Sequence, residues 1–344
     1  MKKLFVFLMV FTLFFTVSCA SSKSQSTERS FITEEVVIGK GTEYELAGLL
    51  SIPVGANSNR QYPAVVLVHG SGPLDVDSTI FANKPFRDIA NYLASNGIAV
   101  IRYNKRTVTH GEKMIEEFGG SLTVYEEIIE DAILATEILK ANPRIDKNRI
   151  FIIGHSLGAM LAPRIHIESG GIYAGLILLA GSPRFLLDIS YDQSIDIIEK
   201  TMEGAEKEAI LAIFTENWDV HIAALVNLPD DVAKNTIIDD NISAYYFKDL
   251  YVHPISEYIK RITVPFLVLQ GSRDFQVYPD KDFALYKELL SGRSNVTFKL
   301  YEGLNHLFMP SIIGDITQFS EEYSVPSHVD AQVLADIVGW IKAH

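Results

Sequence analysis

Residues 150–162 constrain this chain more than any other stretch. A β-branched and aromatic run, Ile150-Phe151-Ile152-Ile153, is cut short by Gly154-His155-Ser156-Leu157-Gly158, and the good helix formers Ala159, Met160, Leu161 and Ala162 follow. The pattern predicts a buried strand that turns sharply into a helix. In the spacing G-x-S-x-G the serine occupies a strained turn, and a side chain at either glycine would collide with neighbouring backbone. Ser156 is then presented outward at a strand tip, and the Leu157 N–H lies at a helix N-terminus, where negative charge is favoured. An ordinary Gly-Ser turn closing a βα unit is the competing reading, and the rest of the chain decides between the two.

That rest repeats the alternation. Glu34–Ile38 and Tyr44–Ile52 flank Gly39-Lys40-Gly41 as an antiparallel hairpin at a sheet edge. Pro63 to His69, Ile98 to Tyr103, Ile172 to Ala180, Val264 to Gln270 and Val296 to Tyr301 read as further strands, several with the continuous apolar character of strands buried on both faces. Helical spacing occurs at Phe86, Ile89, Ala90 and Leu93, across Leu122–Ala141, at Asp280–Leu290, and at Ser327–Lys342 with Ser327 as the expected cap. The prediction is an α/β fold: a mostly parallel twisted sheet with helices on both faces. From Gly181 to Arg261 the rhythm breaks. Helix-period patterns prevail there without a convincing strand, and Asp230-Asp231 and Asp239-Asp240 fall at expected helix boundaries, so residues of about 182–261 read as a helical cap insertion.

The N-terminus reads as a targeting segment. Lys2 and Lys3 precede an apolar run of 14 residues, Leu4 to Val17, too short for a confident membrane span. The run ends at Thr16-Val17-Ser18-Cys19, which resembles a bacterial lipoprotein cleavage box, with Thr16 where an aliphatic residue is more usual. The resemblance implies a signal peptide over 1–18 and a lipidated Cys19; the alternative is a plain secretory peptide with Cys19 incidental. Cys19 is the chain's single cysteine, so no intramolecular disulfide is possible. Residues 19–30 are small, polar and aperiodic, a flexible tether, and the folded domain is expected over 31–344. The formal charge of −13 falls to −15 without residues 1–18, and such acidity opposes binding to nucleic-acid phosphates or anionic lipid.

A serine hydroxyl is a weak nucleophile unless an imidazole takes its proton, and the imidazole needs a carboxylate to hold its tautomer. Of nine histidines, His306 fits best, on a short loop after the strand Val296 to Tyr301. Asp274, in Gly271-Ser272-Arg273-Asp274 directly after the strand Val264 to Gln270, is the candidate acid; Asp188 is the alternative, and Glu302 lies too near the histidine in sequence. Two backbone N–H groups would stabilise an oxyanion: Leu157, and Ser71 in the glycine-rich loop His69-Gly70-Ser71-Gly72, with Gly70 as fallback. His69 is expected to order its turn. Lys105, Arg106 and His110 read either as contacts to an anionic substrate or, preferably, as salt bridges to the acidic surface.

The order Ser156, Asp274, His306 is that of α/β-hydrolases. The chain resembles that superfamily, and within it the bacterial carboxylesterases related to dienelactone-hydrolase-like and serine-aminopeptidase-like proteins. His69–Asp75, Asn83–Arg87, Ile101–Thr107, Gly154–Gly158, Gly271–Asp274 and Asn305-His306 carry the likeness, with Asn104 where such proteins commonly have Asp. It implies hydrolysis of a small-molecule ester through an acyl-enzyme, with no metal or organic cofactor. No Cys/His cluster, HExxH helix or strand-borne G-x-G-x-x-G points elsewhere. Peptidase, thioesterase and lactonase chemistry stay open, as does a catalytically idle, lipid-anchored binding protein; the intact serine, acid and histidine favour an enzyme.

Overall fold

A computed structural model describes residues 30–55, 61–216, 218–239 and 242–344. The strands are, in chain order, β1 (Phe31–Ile38), β2 (Leu46–Pro53), β3 (Tyr62–Val68), β4 (Ala99–Tyr103), β5 (Ile145–His155), β6 (Gly175–Leu179), a ribbon of β7 (Ile237–Asp239) and β8 (Ile242–Ser243), then β9 (Phe266–Gly271) and β10 (Val296–Tyr301). Apart from the ribbon they form one sheet in the order β1-β2-β4-β3-β5-β6-β9-β10. The β1/β2 and β2/β4 pairings are antiparallel, and from β4 to β10 all are parallel. The expected α/β architecture is therefore the observed one.

The apolar runs alternate between two core layers because side chains alternate across a strand. Ala64, Val66 and Val68 of β3 and Ile150 and Ile152 of β5 enter one layer, with Ala135 and Leu139 of helix Glu130–Ala141 and Leu161 and Ile165 of helix Leu157–Glu168. Val65, Leu67, Phe151 and Ile153 enter the other, with Phe86 and Ile89 of helix Pro85–Ser95 and Val333 and Ile337 of helix Ala331–Ala343. Ile153 is wholly buried, so its truncation to alanine would cost about 2–5 kcal/mol.

From β3 the chain moves outward to β4, then crosses back to β5 on the other side of β3. This reversal opens a crevice beyond the carboxyl ends of β3 and β5, the usual ligand position in open α/β sheets. The loop from Gly70 and the turn at Ser156 both start there.

Four local expectations are corrected. The last helix begins at Ala331 and is capped by Asp330, whose carboxylate accepts from Gln332 N. The Ser327 N–H is drawn instead to Asn83 Oδ1 at 2.7 Å, while Asn83 Nδ2 donates to Tyr323 O: a tertiary clasp outcompetes the local cap. The helix expected over Leu122–Ala141 opens with a π turn, Tyr125–Ile129. A second π turn, Pro279–Phe283, opens the helix that ends at Leu289. Between β6 and β9 the insertion is helical as anticipated, but it also holds the β7/β8 ribbon, so Asp239 ends a strand where a helix boundary was expected.

The expected signal segment, Cys19 and the tether up to Arg29 lie outside the described residues. Among the described residues, no single helix is long and apolar enough to cross a membrane.

Candidate active site

The strand β5 ends at His155, and Ser156 stands between it and helix Leu157–Glu168 with φ 55° and ψ −119°. A Cβ at Gly154 would lie 2.2 Å from Gly158 O, and one at Gly158 would lie 2.3 Å from Val68 O, so neither position tolerates a side chain. The Ser156 N–H donates to Leu179 O of β6 at 2.9 Å, which fixes the turn to the neighbouring strand. Leu157, as the first helical residue, has an N–H without an intrahelical acceptor.

Asp274 and His306 meet. His306 Nδ1 donates to Asp274 Oδ2 at 2.7 Å, with the two side chains 4% and 0% exposed. Gln270 Nε2 donates to the same oxygen, and the N–H groups of Gln276 and Val277 donate to Oδ1, so both carboxylate oxygens are held in place. The histidine loop is held by Asn305, whose Oδ1 accepts from Leu307 N and Met309 N and whose Nδ2 donates to Glu322.

Sequence reasoning assigned no role to His155, yet this residue couples the serine turn to the histidine loop. Its Nε2 donates to His306 O at 2.9 Å, and the two imidazole centroids lie 4.7 Å apart. Burial pushes its pKa down to about 3, with the neighbouring His306 adding to the effect, so it is a neutral donor. The signal was its place inside the pentapeptide; its partner lies 151 residues away.

The remaining candidates are placed as follows. Ser71 lines the cavity with Ser156 and Leu157, and Gly70 packs so closely that a Cβ there would fall 3.0 Å from Ser156 Cβ. His69 orders its turn by donating from Nε2 to Asp75 O, and burial lowers its pKa to about 4. Asn104 Oδ1 accepts from Val76 N, a role an aspartate fills equally. Asp188 sits in the first turn of helix Leu186–Thr201 and accepts from the Trp218 indole, whereas His306 bonds Asp274. Glu302 is exposed. Lys105 and Arg106 are buried rather than superficial, paired with Glu127 and with Asp131 and Glu130, while His110 bonds Glu45 O. Among the described residues, no cluster of three His, Cys, Asp or Glu side chains could hold a metal ion.

Ser156 opens on a cavity of about 670 Å³ beneath the cap. Its walls are mainly apolar, with Met160, Leu186, Ile189, Phe214, Trp218 and Phe247 among them. The Ser156 hydroxyl makes no hydrogen bond among the described residues, and such bonds are often long before substrate binds. A hydroxyl at a strand tip, an imidazole–carboxylate pair fastened to the same turn and an unpaired helix N–H together suit acyl transfer.

Comparison with known proteins finds similar esterases and peptidases. The chain is 38% identical to Esterase EstD of Thermotoga maritima over 296 residues, 86% of this chain and 65% of that protein, so it spans just under two thirds of that relative's length. Among solved structures it resembles the Pyrococcus furiosus esterase Pf2001 (TM-score 0.53, 16% identity, 94% of this chain and 95% of that one). It also resembles a puromycin-hydrolyzing peptidase of Mycobacterium tuberculosis (TM-score 0.56, 16% identity, 92% and 40%). Residues 63–310, which contain the serine turn and both partner loops, match the family described as serine aminopeptidase, S33, and the chain belongs to that family of α/β-hydrolases.

Proposed function

We propose that this protein is a serine esterase that cleaves small to medium acyl esters through an acyl-enzyme. Ser156 Oγ attacks the ester carbonyl while His306 Nε2 takes its proton, and Asp274 holds the imidazole and stabilises the cation that forms. The N–H groups of Leu157 and Ser71 receive the developing oxyanion. His306 returns the proton to the departing alcohol; water then releases the acid by the same steps. The 2.7 Å bond between His306 Nδ1 and Asp274 Oδ2, on a loop anchored to the Ser156 turn by His155, is the observation that carries this reading.

The cavity favours ester over aminopeptidase chemistry. Among its described lining residues Glu127 is the single acid, and Lys105 and Tyr246 already occupy both of its oxygens. No free carboxylate is left to hold a substrate ammonium. The apolar walls suit an uncharged acyl chain, and the cap insertion, residues of about 182–261, sets its length. The test is a p-nitrophenyl ester panel of graded acyl length on residues 31–344, with Ser156→Ala as control. Activity peaking at short to medium chains is expected; cleavage of amino-acyl amides in preference to every ester overturns the reading.

For localisation, the sequence supports export to the bacterial cell envelope, with residues 1–18 removed, Cys19 carrying lipid and residues 19–30 tethering the hydrolase domain to the membrane.

A further inference from the structure

A lysine seldom enters a protein interior unless its charge and its N–H groups are matched. Lys105, two residues beyond the end of β4, leaves 2% of its side chain exposed and fills all three ammonium donors. Nζ donates to Gly70 O at 2.9 Å, to Gly72 O at 3.0 Å and to Glu127 Oε1 at 2.5 Å. Glu127 lies in the π turn Tyr125–Ile129, and its second oxygen accepts from the Tyr246 hydroxyl at 2.6 Å. Tyr246 belongs to helix Ala244–Val252 of the cap. A continuous buried chain of bonds thus runs from the loop after β3 to the cap, along the wall of the cavity that Ser156 faces.

The two carbonyls on Lys105 matter because of where their peptide units point. In a trans peptide the C=O and N–H are directed oppositely, and the described chain has no cis bond. The Gly70 carbonyl shares its peptide unit with the Ser71 N–H. Fixing Gly70 O on the ammonium therefore turns the Ser71 N–H to the opposite side of the loop. Ser71, Gly72 and Pro73 are exposed and belong to no strand or helix, so the peptide planes here need a tether.

We propose that Lys105 is a positioning residue for oxyanion stabilisation: it aims the Ser71 N–H, and its link through Glu127 to Tyr246 makes that aim depend on a seated cap. This inference rests on the serine-esterase reading above. Lys105 touches no reacting atom in this account; it acts through the loop. Losing an oxyanion donor outright costs about 10²–10³ in kcat, and a donor left in place but misdirected should cost somewhat less.

The test compares the parent with Lys105→Met/Glu127→Gln, which leaves no unpaired buried charge, and with Tyr246→Phe. Reactive serine is titrated with a fluorophosphonate, and kcat and KM for p-nitrophenyl butyrate are expressed per titrated site. The double variant is expected to lose about 30–100-fold in kcat with KM within about twofold, and Tyr246→Phe about three- to tenfold in the same sense. A purely structural role would lower the number of titratable sites and leave kcat per site unchanged, and that result overturns the proposal. If the double variant does not fold, Tyr246→Phe alone decides, and an unchanged kcat per site again overturns it. A parent enzyme that titrates no serine and turns over no ester removes the serine-esterase reading itself, and this inference with it.

Discussion

His306 donates from Nδ1 to one oxygen of Asp274, and the opposite oxygen is already committed to the N–H groups of Gln276 and Val277. This division fixes what an amide would do at position 274. The two backbone donors hold the amide oxygen of Asn at the Oδ1 site, so its NH₂ faces His306. The imidazole must then accept at Nδ1 and carry its proton on Nε2, the tautomer that cannot take the serine proton. Asp274→Asn is expected to lower kcat by about 10⁴ with the fold retained, whereas Asp188→Asn, which loosens only Trp218, stays within about tenfold. Steady-state kinetics on both variants check this, and the reverse ranking would move the acid to Asp188.

The backbone strain at Ser156 yields a stability prediction of unusual sign. A non-glycine residue at φ 55° and ψ −119° costs about 1–3 kcal/mol, and glycine relieves that at an unfolded-state cost of about 0.5–1 kcal/mol. Ser156→Gly and Ser156→Ala should both be inactive, with the glycine variant about 1 kcal/mol more stable in urea unfolding. A glycine variant less stable than the alanine one would mean that the turn stores no strain.

His155 predicts a pH dependence. Its native pKa of about 3 lies below the ordinary histidine value near 6.5, so between these two pH values the unfolded chain binds a proton that the native protein does not. Stability is therefore full above pH 6.5 and falls as pH decreases. From pH 7 to pH 5 this one group should cost about 2 kcal/mol. Asp131, which burial raises to about 6, works in the opposite direction over part of the window, and His69, lowered to about 4, adds to the loss. Comparison with His155→Gln isolates the group: the variant should lose about 2 kcal/mol less than the parent between the two pH values in denaturant unfolding. Equal losses would show that His155 is protonated in the native state.

How much of this was legible in the sequence follows from what each residue's environment depends on. Strands β3 and β9 and the Ile150–Ile153 part of β5 were visible because a strand in a covered parallel sheet reads as a continuous apolar or β-branched run, and the half-buried edge strand β10 was visible from its β-formers Val296, Phe298 and Tyr301. Asp274 and His306 were visible because both sit on loops directly after such strands. Lys105 was not, since a lysine beyond a strand reads as surface until Glu127 and the Gly70 and Gly72 carbonyls are brought around it. The partner of His155 was hidden for the same reason, as was the Asn83 clasp that draws Ser327 away from the last helix. The ribbon β7/β8 is only three and two residues long, too short to establish a period within a helical stretch.

The envelope reading makes its own prediction. Two or more acyl chains give stable membrane attachment where one is reversible, and the acidic domain adds no attraction to anionic lipid. Cys19→Ala is expected to release active enzyme or to block maturation, without altering kcat. Fractionation after a carbonate wash checks it; a mutant processed normally and retained in the membrane would assign the anchor to another segment.

The central claim is that Ser156 is the nucleophile of an esterase. Its most direct measurement is peptide mass mapping of the protein after fluorophosphonate treatment, in parallel with ester hydrolysis. The account predicts a single phosphonyl adduct on the peptide carrying Ser156, formed in proportion to lost activity and absent, together with hydrolysis, from Ser156→Ala. An adduct on another residue, or a Ser156→Ala protein that still hydrolyses esters, would contradict it.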